Sequence, residues 1–197
     1  MTVTLADAAI DGTLEEFKQL YATDKSRESG FWKTLLLRDA IGDNDPESRT
    51  AKANFLLDDG ADATWHEAYN GGRNLLHIFL STIAGRSAVL PADIALLRRL
   101  LDAGADINGI SPKSGTPLQL LYQRSVSYSD EVIVPLFDVI FARDDFDLFV
   151  VGAFKKSTYQ VVGMSRDSVP IMWGYIERYI HDHGIVVPEN QRIDDEN

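Results

Sequence analysis

The sequence predicts an all-α chain of paired helices stacked on one another. Three observations predict it. The phrase Leu56-Leu57-Asp58-Asp59-Gly60-Ala61-Asp62 returns as Leu100-Leu101-Asp102-Ala103-Gly104-Ala105-Asp106, so one building block recurs. Each copy closes a stretch whose apolar residues fall at helical spacing, with a glycine suited to the left-handed helix end. The second copy runs on into Ile107-Asn108 and then Gly115-Thr116-Pro117-Leu118, where a Thr N-cap and a first-turn Pro start another helix.

Five pairs follow in order. Residues 5–10 and 13–21 form the first around Gly12, with Ala8-Ala9, then Leu14, Phe17 and Leu20 at helical spacing. Thr13 and Glu16 make a capping box for its second helix. Residues 34–41 and 46–59 form the second pair, separated by Gly42-Asp43-Asn44-Asp45, with Asp45-Pro46 opening its second helix. Residues 74–83 and 92–103 form the third, 116–124 and 130–142 the fourth. Residues 157–162 and 168–183, closed by Gly184, form the fifth.

These motifs resemble ankyrin repeats, whose unit of about 33 residues carries Thr-Pro-Leu-His-x-Ala. The specific motifs cover residues 50–125. The resemblance implies an ankyrin-repeat solenoid of four to five helix pairs with projecting hairpins, over residues 1–187. A polar, acidic tail over 188–197 is expected to be loose. His77 stands at the motif's histidine, where the family's residue bonds locally and ties hairpin to helix. The chain also departs from the pattern. Its two Gly-Ala-Asp copies lie 44 residues apart. The surplus falls in residues 84–91, which carry no helix signal, and in hairpin 63–73, with 11 residues where 107–115 has 9. Asn74-Leu75 replaces Thr-Pro, and Gln119 replaces the histidine. Arg143-Asp144-Asp145-Phe146-Asp147 occupies the place of Gly-Ala-Asp-Ile-Asn. End units of a stack need a polar outer side, which Glu15, Glu16, Lys18 and Gln19 supply at the start.

Composition bounds the function. The chain has 197 residues, 45% of them hydrophobic, enough for one domain with a core. No apolar run approaches the ~18 residues that span a bilayer, and residues 1–7 lack the basic and apolar regions of a secretion signal. A cytoplasmic monomer is expected. The absence of Cys removes disulfides, thiol catalysis and Cys-based zinc sites. Net charge is −11, −4 in residues 1–100 and −7 in the rest. An acidic surface repels nucleic acid and draws basic protein partners.

Candidate chemistry is sparse. His181 and His183, two apart on a helix, point to different sides and do not grip one metal. His77 lacks a nucleophile or carboxylate at a recognisable spacing. Gly71-Gly72-Arg73 matches no phosphate loop, and Asp43-Asn44-Asp45 lacks the Gly and distal Glu of a calcium loop. No catalytic residue, metal or cofactor is expected, and the chain is not expected to be an enzyme. Binding candidates sit in the connections. Trp65, His66, Tyr69 and Asn70 occupy the first long hairpin; Trp65 reads either as an exposed anchor or as a lid on the core. Lys113 lies in the next hairpin, and Tyr122, Arg124 and Tyr128 end an inner helix. Phe146, Phe149 and Phe154 make a greasy third hairpin, either packed on the core or a sticky patch. The ankyrin resemblance implies a protein-binding module. Size and acidity suggest an immunity protein that occludes a basic toxin; the alternative is an adaptor or chaperone for a neighbouring enzyme.

Overall fold

A computed structural model describes residues 3–68, 72–84, 86, 88–125 and 130–193. Among the described residues there are ten α-helices and no strand. They are α1 (Leu5–Asp11), α2 (Leu14–Thr23), α3 (Gly30–Ile41), α4 (Pro46–Asp58), α5 (Leu75–Ile83), α6 (Pro91–Asp102), α7 (Pro117–Ser125), α8 (Asp130–Ile140), α9 (Thr158–Gly163) and α10 (Pro170–Asp182). Single-turn 3₁₀ segments lie at Lys25–Glu28, Ala153–Lys155 and Glu189–Gln191. Odd-numbered helices touch one another in succession from α1 to α9, and even-numbered helices do so from α2 to α10. The result is two parallel rows with apolar side chains between them. Leu56 and Leu100, from the repeated phrase, are fully buried there.

Repeated local chemistry builds the rows. After α4, α6 and α10, Gly60, Gly104 and Gly184 take positive φ. Each allows the next residue's N–H to reach back to the carbonyl of Leu56, Leu100 or Ile180, at 2.9 Å in all three. This is a Schellman closure, and an L side chain there would be strained. At helix starts, Thr4, Thr13, Asn74, Thr116 and Ser157 each accept from the N–H three residues on. The carboxylates of Asp7 and Glu16 return the bond, which holds both below the usual carboxylate range.

The structure corrects three expectations. The first helix of the second pair begins at Gly30, four residues before residue 34, behind Ser29, which makes no side-chain cap. The hairpin after α8 is in a different register. Asp62 and Asp106 each accept from the N–H two residues on, and Asp147 does the same for Phe149. Asp147, not Asp145, is therefore the counterpart of Asp106, and no glycine precedes it because α8 ends without the Schellman turn. Finally, residues 188–193 are docked rather than loose: Asn190 O accepts from Gln160, and Gln191 is buried.

A buried charge network joins the first three pairs. Arg49 and Lys52 on α4 are both fully buried. Arg49 pairs with Asp93 of α6, also fully buried, and donates to Asp43 O at 2.6 Å. Lys52 pairs with the Asp43 carboxylate at 2.7 Å and donates to the α1-terminal carbonyls of Ala8 and Gly12. Removing one partner strands the other charge out of water. Asp93→Ala should cost about 3–5 kcal/mol, and adding Arg49→Met should recover much of that loss. Urea denaturation of the two singles and the double measures it. Additive singles would show that the pair does not act as a unit.

Candidate interaction surface

The inner ends of the odd helices are positioned by a ladder of side chains. Asn74 N–H points to His77 Nδ1 at 3.2 Å, and His77 Nε2 lies 2.9 Å from Gly115 O in the next hairpin. Asn74 Oδ1 accepts from His77 N and lies 2.7 Å from Nδ1. Burial is the largest cause that pushes the proton affinity of this fully buried ring down, and nearby Arg73 adds to it. The Gly115 carbonyl can only accept, so Nε2 carries a proton and donates it there. Gln119 repeats the pattern one unit on. Its Oε1 accepts from Thr116 N at 3.1 Å and from Ala153 N at 3.0 Å, and its Nε2 donates to Lys156 O at 2.8 Å. An amide thus does what the imidazole does, because both offer one acceptor and one donor. The motif position reads as lost in the sequence, yet its bonding survives.

The binding residues expected from the sequence divide. Trp65 is half-buried against the core, with the Arg38 guanidinium 5.9 Å above its ring. His66 and Lys113 are exposed on successive hairpins, and His66 bridges to Asn74. Tyr122 is half-buried against the core from α7. Tyr69, Asn70, Tyr128 and the Arg124 side chain lie outside the described residues. Of the third hairpin's phenylalanines, Phe146 is buried, Phe149 packs at a tilt against Tyr159, and Phe154 is 73% exposed. His181 is bonded to Asp182, while His183 lies on the Tyr179 ring and contacts Tyr179 O. Among the described residues no three His, Asp or Glu side chains gather to hold a metal, and no helix is long and apolar enough to cross a membrane.

The strongest surface feature was not anticipated. Phe31 and Trp32, on the first turn of α3, are 62% and 53% exposed and pack edge-on against each other. Trp32 forms one side of a groove of about 840 Å³ between α1, α3 and the Lys25–Glu28 turn. Leu5 and Leu35 give the groove an apolar floor, and Asp24, Lys25 and Asp39 line its rim. Arg38 also lines it, linking it to Trp65. Helical geometry alone does not mark the pair as exposed, since the adjacent Leu36 and Leu37 of the same helix are both buried.

No protein-family model and no curated protein matches the chain. Its fold is similar to the crystal structure of a functionally unknown protein from Leptotrichia buccalis C-1013-b. The TM-score is 0.70 over 93% of this chain and 96% of that one, at 21% sequence identity. At that identity the likeness is one of fold.

His77 gives the ladder a pH signature. Its folded pKa lies below its ordinary value of 6.5, so the unfolded chain binds more protons than the folded one between the two. Its contribution is fully present above 6.5 and is lost as pH falls below it. His77→Gln should keep the bonds, as Gln119 does, and remove this part of the pH dependence. Urea midpoints at about pH 7.5 and about pH 5.5 test it; an unchanged difference in the variant would refute the assignment.

Proposed function

We propose that the chain is a divergent ankyrin-type solenoid that binds another protein and carries no catalysis of its own. In this reading it acts as an immunity protein, covering the working site of a basic toxin domain. The observation that carries the proposal is the exposed Phe31–Trp32 pair beside its groove. Aromatic side chains bury much area for little rotamer entropy and dominate binding energies. Leaving two of them in water has no stabilising return for the free chain. The chain's net charge of −11 favours and speeds encounter with a basic surface. The two-row stack supports the reading by giving the groove a rigid frame.

Co-expression with the product of an adjacent gene, scored by growth and by that product's activity, tests the proposal. The wild type should bind and silence it. The double substitution Phe31→Ala, Trp32→Ala should weaken binding at least about a hundredfold, as hot-spot losses do, with little change in unfolding midpoint. Trp65→Ala should behave oppositely, lowering stability by about 1–3 kcal/mol through lost packing. A bound partner that stays fully active would make the chain an adaptor or chaperone. An unaltered affinity in the double variant would remove the aromatic pair from the interface.

A further inference from the structure

We propose that Asn108 is a modification site gated by the hairpin it holds. It converts to aspartate and isoaspartate when the segment around Asp145 and Asp147 lifts away, and the conversion keeps that segment from reseating. The sequence contains Asn-Gly twice, at Asn70-Gly71 and Asn108-Gly109. The first lies outside the described residues, and the second lies in the hairpin after α6. In such a pair the glycine nitrogen attacks the carbonyl carbon of the Asn side chain, since no side chain shields it. A C–N bond forms there, the bond to the side-chain nitrogen breaks, and ammonia leaves carrying the proton of the glycine N–H. Water then opens the five-membered imide. Cleavage at one carbonyl gives aspartate, and cleavage at the other gives isoaspartate. Water is the one co-reactant.

The fold itself demands this reactive pair. A Cβ at Gly109 would stand 2.6 Å from Nδ2 of Asn74, which is bonded to Asp106 O. Asn108 Nδ2 donates to Asp145 O at 2.7 Å, and its Oδ1 accepts from Asp147 N at 2.9 Å. While those two bonds stand, the side-chain carbonyl is turned towards the next hairpin. The Gly109 N–H meanwhile lies 3.4 Å from Asp106 O. Attack requires the amide to swing back over the Gly109 nitrogen, so both bonds must break first. Asn108 is half-buried, within reach of water.

Neither product restores the link. Aspartate still accepts from Asp147 N, but it faces Asp145 O with an oxygen where the donor stood. It also adds a negative charge beside Asp106, Asp145 and Asp147. Isoaspartate lengthens the backbone by one methylene and shortens the side chain by one, so it reaches neither partner as before. Local openings occur more often than global unfolding. At Asn108 such an opening, otherwise reversible, becomes permanent.

Incubation of the full-length chain at mildly alkaline pH, followed by peptide mass mapping and isoaspartate-specific methylation, tests the proposal. Asn108 should convert fastest in urea above the unfolding midpoint, and at least about tenfold more slowly in the folded chain. In the wild type the rate should already rise in urea below that midpoint, because the segment opens before the whole stack does. Asp147→Ala removes the turn to Phe149 N that seats the segment. With circular dichroism unchanged, it should speed conversion about fivefold or more, as the loss of one hydrogen bond does to an opening equilibrium. Asp147→Asn, whose side-chain oxygen still accepts, should match the wild type. Aged chain mapped as isoaspartate at position 108 alone should unfold at lower urea than fresh chain. Equal rates in folded and unfolded chain, or no conversion short of global unfolding, would overturn the proposal. So would a rate indifferent to Asp147→Ala, or aged chain with an unaltered midpoint.

Discussion

Stacked helix pairs have a weakness that apolar packing alone does not cure: similar greasy faces can slide or rotate past one another at little cost. The charges buried on α4 remove that freedom between the first three pairs. Lys52 spends its donors on the Asp43 carboxylate and on the carbonyls of Ala8 and Gly12 at the end of α1, the first of which also accepts from Gly12 N–H. Arg49 reaches the other way, to Asp93 at the start of α6, and Asp93 also accepts from Leu90 N. Each contact is directional, so one relative position of α1, α4 and α6 satisfies them all. Charges taken from water contribute little net stability even when paired. Their role here is to fix register: every other seating leaves an unpaired ion in the core.

Beyond the third pair the same task passes to neutral groups. His77 and Gln119, at equivalent positions, each join the start of their own helix to the backbone of the next hairpin. Gln160 extends the series to Asn190. The C-terminal segment thus takes the place that a next hairpin would occupy. This is why residues 188–193 are ordered by the stack although their composition reads as tail. Asn108 adds a parallel link, donating to Asp145 O and accepting from Asp147 N.

Much of this was legible in the sequence where a residue type has a single local use. Glycines at positive φ, Thr13 and Thr116 at N-caps, Asp45-Pro46 and the paired leucines marked elements that the structure contains. Legibility failed where identity and role separate. Gln119 reads as a lost histidine, yet its amide supplies the same donor and acceptor. The burial of Arg49 and Lys52 has no local sign in the sequence, because it depends on Asp93 and Asp43, one of them 44 residues away. The start of α3 carries no capping side chain, so nothing local announced it. Phe31 and Trp32 consequently fell outside the expected helix, and with them the groove beside Trp32.

The hairpins show how such a frame frees residues for other work. Their bases are set by the Asp turns and by bridges at His66–Asn74, Ser111–Gly115 and Val151–Ser157. Close approach is built in as well: Gly115 and Gly152 sit so near that a side chain on either would strike the neighbouring hairpin or Gln119. The tip between the last two bridge positions is under no such demand, and there the chain behaves differently. Phe154 and Lys155 both take positive φ, which costs non-glycine residues of order 1–3 kcal/mol each. Phe154 nonetheless points its ring largely into water. Packing explains neither choice, since a glycine would relieve the strain and a polar residue the exposure. Strain and an exposed aromatic therefore coincide at one tip, on a base whose bonding and packing need neither.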